Sequence, residues 1–77
     1  GEAIEAQVLA TSPIAGKRLR DAGFPTGSIV GAVLTREGAK IPRGDLVISE
    51  GDLLVVFALR DAVARVEQLF RVSVDFF

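Results

Sequence analysis

Cysteine, histidine, methionine, tyrosine and tryptophan are all missing from this 77-residue chain. Without cysteine, no disulfide and no thiolate metal site can brace so small a domain. Without histidine or cysteine, no Ser-His-Asp or Cys-His nucleophilic triad can be assembled, and transition-metal sites built on imidazole or thiolate are excluded with them. The longest unbroken apolar run, Leu53 to Leu59, falls far short of the ~20 residues a membrane-spanning helix needs. No basic stretch followed by an apolar segment opens the chain, so the pattern of a secretion signal is missing. An excess of positive charge is missing too. Nine basic and ten acidic residues leave a net charge of −1 and a pI near 5.2, which argues against nucleic acid as a partner. The lack of any methionine predicts a domain cut from a longer protein.

What the chain does have is apolar residue, at 49% of its length, beside an ordinary 25% of charged residues. The length allows a single domain, residues 1–77. A domain of this size buries only about 60% of its unfolded surface, so its stability margin is thin and oligomerisation is an expected supplement.

Residues 2–10 alternate Ile4, Ala6 and Val8 against Glu5 and Gln7, the period-2 pattern of a half-buried strand. Ser12 and Pro13 then read as the cap and first turn of a helix carrying Ile14, Leu19 and Ala22 inward, ended by Gly23. Lys17, Arg18 and Arg20 form its solvated face. After the turn at Pro25-Thr26-Gly27, residues 28–36 form a strand apolar on both faces. Strict alternation puts Ile29 and Val33 on one face, and Val30, Ala32 and Leu34 on the other. Glu37-Gly38 reads as a hairpin turn into a short strand, 39–41, stopped by Pro42. A further short strand is expected at 46–48, between the turns Gly44-Asp45 and Gly51-Asp52, and the run 53–59 reads as a central strand. Asp61 reads as the cap of a second helix with Val63, Val66, Leu69 and Phe70 on one stripe and Arg71 at its negative pole. The apolar tail to Phe76-Phe77 is expected to pack. The predicted fold is α+β, a small mixed sheet with two helices in the order β-α-β-β-β-β-α.

An ordered set of short motifs runs through these elements. Ser12-Pro13-Ile14-Ala15-Gly16-Lys17-Arg18-Leu19 leads to Phe24-Pro25-Thr26-Gly27, then to Arg36-Glu37-Gly38 and Ile41-Pro42-Arg43-Gly44-Asp45. Gly51-Asp52-Leu53-Leu54-Val55 and Val66-Glu67-Gln68-Leu69-Phe70 complete it. In that order the segments resemble the C-terminal domain of the RCK proteins, the regulators of K⁺ conductance, also called the TrkA-C domain. The resemblance implies a cytoplasmic, non-catalytic regulatory module that forms a homodimer and can carry a small ligand. It implies that the full-length protein also holds a Rossmann nucleotide-binding domain and sits at the inner face of the membrane, gating a potassium transporter or channel subunit. No G-x-G-x-x-G occurs here, so NAD is not expected to bind and no cofactor is assigned to these residues. The alternatives are a purely structural dimerisation module and the regulatory domain of a different RCK-bearing transporter or channel.

Two groups of residues are singled out. Arg36, Ile41, Pro42 and Arg43, with Lys40 between them, offer guanidinium forks beside an apolar ledge. An edge strand guarded by charge and proline has the same composition, and residues alone favour that reading. The resemblance adds a cyclic dinucleotide or another small anionic ligand, since some members bind cyclic dinucleotides near this Ile-Pro element. Val30, Ala32 and Leu34, with the Phe76-Phe77 tail, form an apolar excess beyond what two helices can cover, and are the expected homodimer interface. Asp45, Glu50 and Asp52 are the oxygen ligands a hard cation would want, but Gly-Asp pairs are ordinary turn chemistry.

Overall fold

The computed structural model describes residues 1–70. Four strands form one sheet: β1 (Glu2–Gln7), β2 (Ser28–Thr35), β3 (Gly38–Lys40) and β4 (Leu53–Ala58). One helix, α1 (Arg60–Phe70), follows β4. The spatial order is β1-β4-β2-β3, and every neighbouring pair is antiparallel. The class is α+β as expected, but the sheet is antiparallel rather than mixed. The apolar run from Leu53 does become a central strand, hydrogen-bonded to β1 on one side and β2 on the other.

One face of the sheet carries the core. Leu54, Val56 and Ala58 of β4 point into it, beside Ile4 and Ala6 from β1, Val8 just after it, and Val33 from β2. α1 lies across this face and buries Ala62, Val66 and Phe70, spaced four apart on one stripe, with Val63 and Leu69 packed at its flanks. Asp61 sits in the first turn of α1 rather than at its cap, where its charge still favours the positive helix end. Arg71 and the tail through Phe76 and Phe77 lie outside the described residues.

The helix expected after Ser12 is not there. Within residues 13–22 only a single 3₁₀ turn, Leu19–Asp21, is helical. Gly16 has φ +85°, a left-handed conformation that ends any helix before it completes. The backbone groups this releases pair instead with residues 44–48. Gly16 N–H donates to the Ile48 carbonyl at 2.7 Å, Ile48 N–H to Lys17 at 2.8 Å, and Leu19 N–H to Leu46 at 2.9 Å. The segment 46–48 accordingly makes an isolated bridge, Val47 to Arg18, rather than the expected strand. The inward residues were read correctly: Ile14 and Ala22 are buried, and Leu19 packs against the core. Ser12 is also buried, but not as a cap. Its Oγ accepts from Leu9 N–H at 2.8 Å and donates to the Phe70 carbonyl at 2.7 Å, tying the first loop to the last turn of α1. Phe24 drops in beside it, its ring 6.3 Å from that of Phe70.

Strand β2 departs from strict alternation at one point. Val30 pairs with Val56 but Ala32 with Val55, so Gly31 is an extra residue in a β-bulge. The bulge exchanges the faces on its two sides. Val30 and Val33 both point to the core, while Ile29, Ala32 and Leu34 point away from it with Phe57, Val55 and Leu53. The expected grouping of Val30 with Ala32 and Leu34 is therefore broken, and Ile29 takes Val30's place on the outer face.

Candidate functional site

The hairpin between β2 and β3 is built by local chemistry. Thr35 and Gly38 pair across a loop of Arg36 and Glu37, and Gly38 supplies φ +112°. The Thr35 Oγ1 accepts from Glu37 N–H at 3.1 Å and donates to the Gly38 carbonyl at 2.9 Å, locking the turn. Lys40 Nζ lies 3.4 Å from Glu37 Oε1, an exposed pair that contributes at most about 1 kcal/mol.

Beyond Lys40 the chain leaves the sheet. Arg43 N–H donates to the Ile41 carbonyl at 2.8 Å across Pro42, and Leu46 N–H to the Arg43 carbonyl at 3.1 Å. These two tight turns leave Ile41 68% exposed and Pro42 half-buried. They also hold Arg43 in solvent beside Gly44.

Two open clefts flank this element. A cleft of about 700 Å³ holds Arg36 with Leu34, Glu37 and Glu50. A second, of about 450 Å³, holds Ile41 and Arg43 with Asp45. Lys40, Leu46 and Val47 belong to both and form the ridge between them. The structure thus brings Ile41 and Arg43 together and puts Arg36 across the ridge; Pro42 shapes the turn but lines neither cleft. The acidic residues are turn formers. Asp52 is buried, and its Oδ2 accepts from Ser49 N–H at 2.9 Å. Among the described residues no group of three His, Cys, Asp or Glu could hold a metal ion.

Arg18 and Arg20, which periodicity assigns to a helix face, join this region through their backbones. Arg18 bridges Val47 on the ridge, and Arg20 N–H donates to the Gly44 carbonyl at 3.0 Å. The stem of Arg20 lies against Gly44, with its Cβ 3.5 Å from where a Cβ would stand there. The only signal in the sequence was Gly16, a poor helix residue immediately before these cations.

Residues 3–71 match the family model described as the TrkA-C domain. Over all 77 residues the chain is 49% identical to the Trk system potassium uptake protein TrkA of Azorhizobium caulinodans, covering 17% of that protein. It is 44% identical over 70 residues to Trk system potassium uptake protein TrkA homolog 2 of Methanosarcina mazei, covering 16% of it. The chain therefore spans about a sixth of the length of these curated relatives. A solved structure of an RCK domain with cda superposes with a TM-score of 0.71 at 25% identity, over 92% of this chain and all of the other.

Proposed function

Because this chain belongs to the TrkA-C domain family, we propose that it is a regulatory, non-catalytic module of a potassium-uptake system. In this reading it acts as a homodimer in the cytoplasm, at the inner face of the membrane, on a potassium transporter or channel subunit. The observation that carries the reading is the match over residues 3–71 together with 49% identity to a potassium-uptake relative across the whole chain. Among the described residues no helix is long and apolar enough to cross a membrane, so contact with a transporter would be made from outside the bilayer core. The chain also lacks the residue types that general acid–base or nucleophilic catalysis most often uses, histidine and cysteine.

The module's input would be a small anionic ligand, such as a cyclic dinucleotide, at the ledge of Ile41 and Pro42. Arg43 would supply the charge-assisted bonds, with Lys40 on the ridge beside it. Arg36 faces the other cleft and would meet the ligand only from a different direction. A ligand-free dimerisation module is the second reading. It is favoured by the larger cleft, where Glu37 and Glu50 offset Arg36 and Lys40.

Two experiments test these readings. Replacing the matching segment of the Azorhizobium relative with this chain should preserve growth at limiting K⁺, in cells that depend on that protein for uptake. Growth no better than with the segment deleted would refute the potassium-uptake assignment. Calorimetric titration with cyclic dinucleotides separates the ligand-sensing module from the ligand-free one. Arg43→Ala should weaken binding roughly 10- to 100-fold, the loss of one charge-assisted bond. No heat from the unaltered chain would leave the ligand-free module standing.

A further inference from the structure

Charge is spread unevenly along the chain. Six of its nine cations but only three of its ten acids lie between residues 17 and 45, a net +3 that leaves −4 on the rest of a chain whose total is −1. The fold sets the two signs at opposite edges of the sheet. Glu2 and Glu5 stand on β1, one edge, while Lys40 stands on β3, the other.

The pairing of residues 16–20 with 44–48 brings two further cations to the β3 side. Residues directly opposite in an antiparallel bridge point their side chains the same way, so Arg18 follows Val47. Val47 is 50% exposed and its neighbour Ile48 is fully buried, so the shared side is the solvent side. Arg20 is exposed as well, with its stem against Gly44, next to Arg43.

Among these cations two β-branched apolar side chains stand in water, Ile41 and Val47. Both wall the cleft of about 450 Å³ that also holds Lys40 and Arg43. Asp45 is the acid of that cleft, and Glu37 lies 3.4 Å from Lys40. Val47 belongs to the ridge between the two clefts, so the surface projects where it is apolar. No aromatic side chain lines either cleft, so a nucleic-acid base has no ring to stack on.

We propose that this edge is a peripheral membrane contact, in which Ile41 and Val47 enter the headgroup layer of a bilayer and Arg18, Arg20, Lys40 and Arg43 meet anionic phospholipids around them. The inference rests on the reading of the chain as a module at the inner face of the membrane, and it names the surface that meets that face. A bilayer supplies both chemistries at once, negative headgroups outside and hydrocarbon beneath. A projecting ridge suits a broad, yielding surface of that kind. Lys and Arg stems lie along apolar surface while their charged ends stay at the headgroups. Glu2 and Glu5, on the far edge of the sheet, are held away from the negative leaflet.

The test is co-sedimentation of the chain with vesicles of phosphatidylcholine containing ~30% phosphatidylglycerol, at ~1 mM lipid, against vesicles of phosphatidylcholine alone. The unaltered chain should bind the anionic vesicles only, and ~0.5 M KCl should release it by shortening the screening length. Each basic charge near such a surface strengthens binding about fivefold, so Arg18→Glu with Arg20→Glu should weaken it at least tenfold. Ile41→Ser with Val47→Ser should weaken it at least about fivefold through lost apolar burial. Arg60→Glu, which follows the end of β4 remote from the β2–β3 hairpin, should leave binding unchanged. Circular dichroism confirms that each variant is folded. No binding to anionic vesicles, equal binding to neutral ones, or full binding by the folded arginine double variant overturns the inference. Full binding by the folded Ile41→Ser, Val47→Ser variant also overturns it, because the surface would then read charge alone, as an acidic polypeptide would offer it. Growth at limiting K⁺ without vesicle binding refutes this surface alone, and vesicle binding without growth refutes the uptake assignment alone.

Discussion

Ser12 distinguishes sharply between the fold expected from periodicity and the fold observed. As a helix cap it would be replaceable by aspartate at little or no cost, because Asp and Ser cap about equally well. In the structure it is buried and works in both directions, accepting from Leu9 N–H at 2.8 Å and donating to the Phe70 carbonyl at 2.7 Å. Ser12→Ala removes both bonds and leaves their partners poorly hydrated, which should cost about 2–3 kcal/mol. For a domain of this size that lowers the melting temperature by about 10–20 °C. Ser12→Asp should cost more than Ser12→Ala. A carboxylate cannot donate to the Phe70 carbonyl, and it would place a negative charge against the negative end of α1. Urea denaturation of the three proteins at neutral pH reads the order directly. The reasoning fails if Ser12→Ala stays within about 0.5 kcal/mol of the unaltered chain, or if Ser12→Asp is the more stable of the two variants.

Leu54→Ala, deep under α1, should destabilise by about 2–5 kcal/mol in the same denaturation assay, and a smaller change would mean that the core there is loosely packed. Gly16→Ala meets no atom within 4 Å, so its whole effect should come from φ +85°, a loss of about 1–2 kcal/mol seen as a lower urea midpoint; an unchanged midpoint would show that the turn relaxes freely. If a cyclic dinucleotide binds, Arg36→Ala should change its affinity by less than about threefold while Arg43→Ala changes it by tenfold or more, since the two arginines face different clefts; equal losses would place both at one ligand. Titration with NADH should give no heat, because the chain has no glycine-rich phosphate loop; micromolar binding would refute that reading.

Where hydrophobic pattern alone decided the structure, it was legible. The seven-residue apolar run beginning at Leu53 has no polar face to expose, and it lies between two strands. The stripe of Val63, Val66, Leu69 and Phe70 is wide enough to seat a helix on the sheet, and α1 sits there. Residues 12–22 were misread because Ser-Pro followed by apolar residues at helical spacing also describes a loop that buries Ile14 and Ala22 by turning. The deciding interactions are hydrogen bonds between Gly16, Lys17 and Leu19 and residues about thirty positions away, donated by Gly16 and Leu19 and accepted by the Lys17 carbonyl, and no local pattern announces them.

The site suffered from the same blindness to distant partners, in two different ways. Arg36 and Arg43 flank one hairpin, and their sequence spacing suggested a shared pocket. The backbone leaves the sheet at Ile41, however, and the segment 44–48 is pulled toward Gly16–Leu19, so the ridge of Lys40, Leu46 and Val47 comes between them. The pairing of 44–48 with Gly16–Leu19 thus decides which cleft each arginine lines. The outer sheet face failed for a more local reason. Its apolar character is evident in the sequence, but one extra residue at Gly31 inverts which side chains share a face. A glycine inside a strand is itself a signal for a bulge or for close approach of a neighbour. Here it is both, and applying that rule would have moved Val30 into the core and brought Ile29 out beside Phe57.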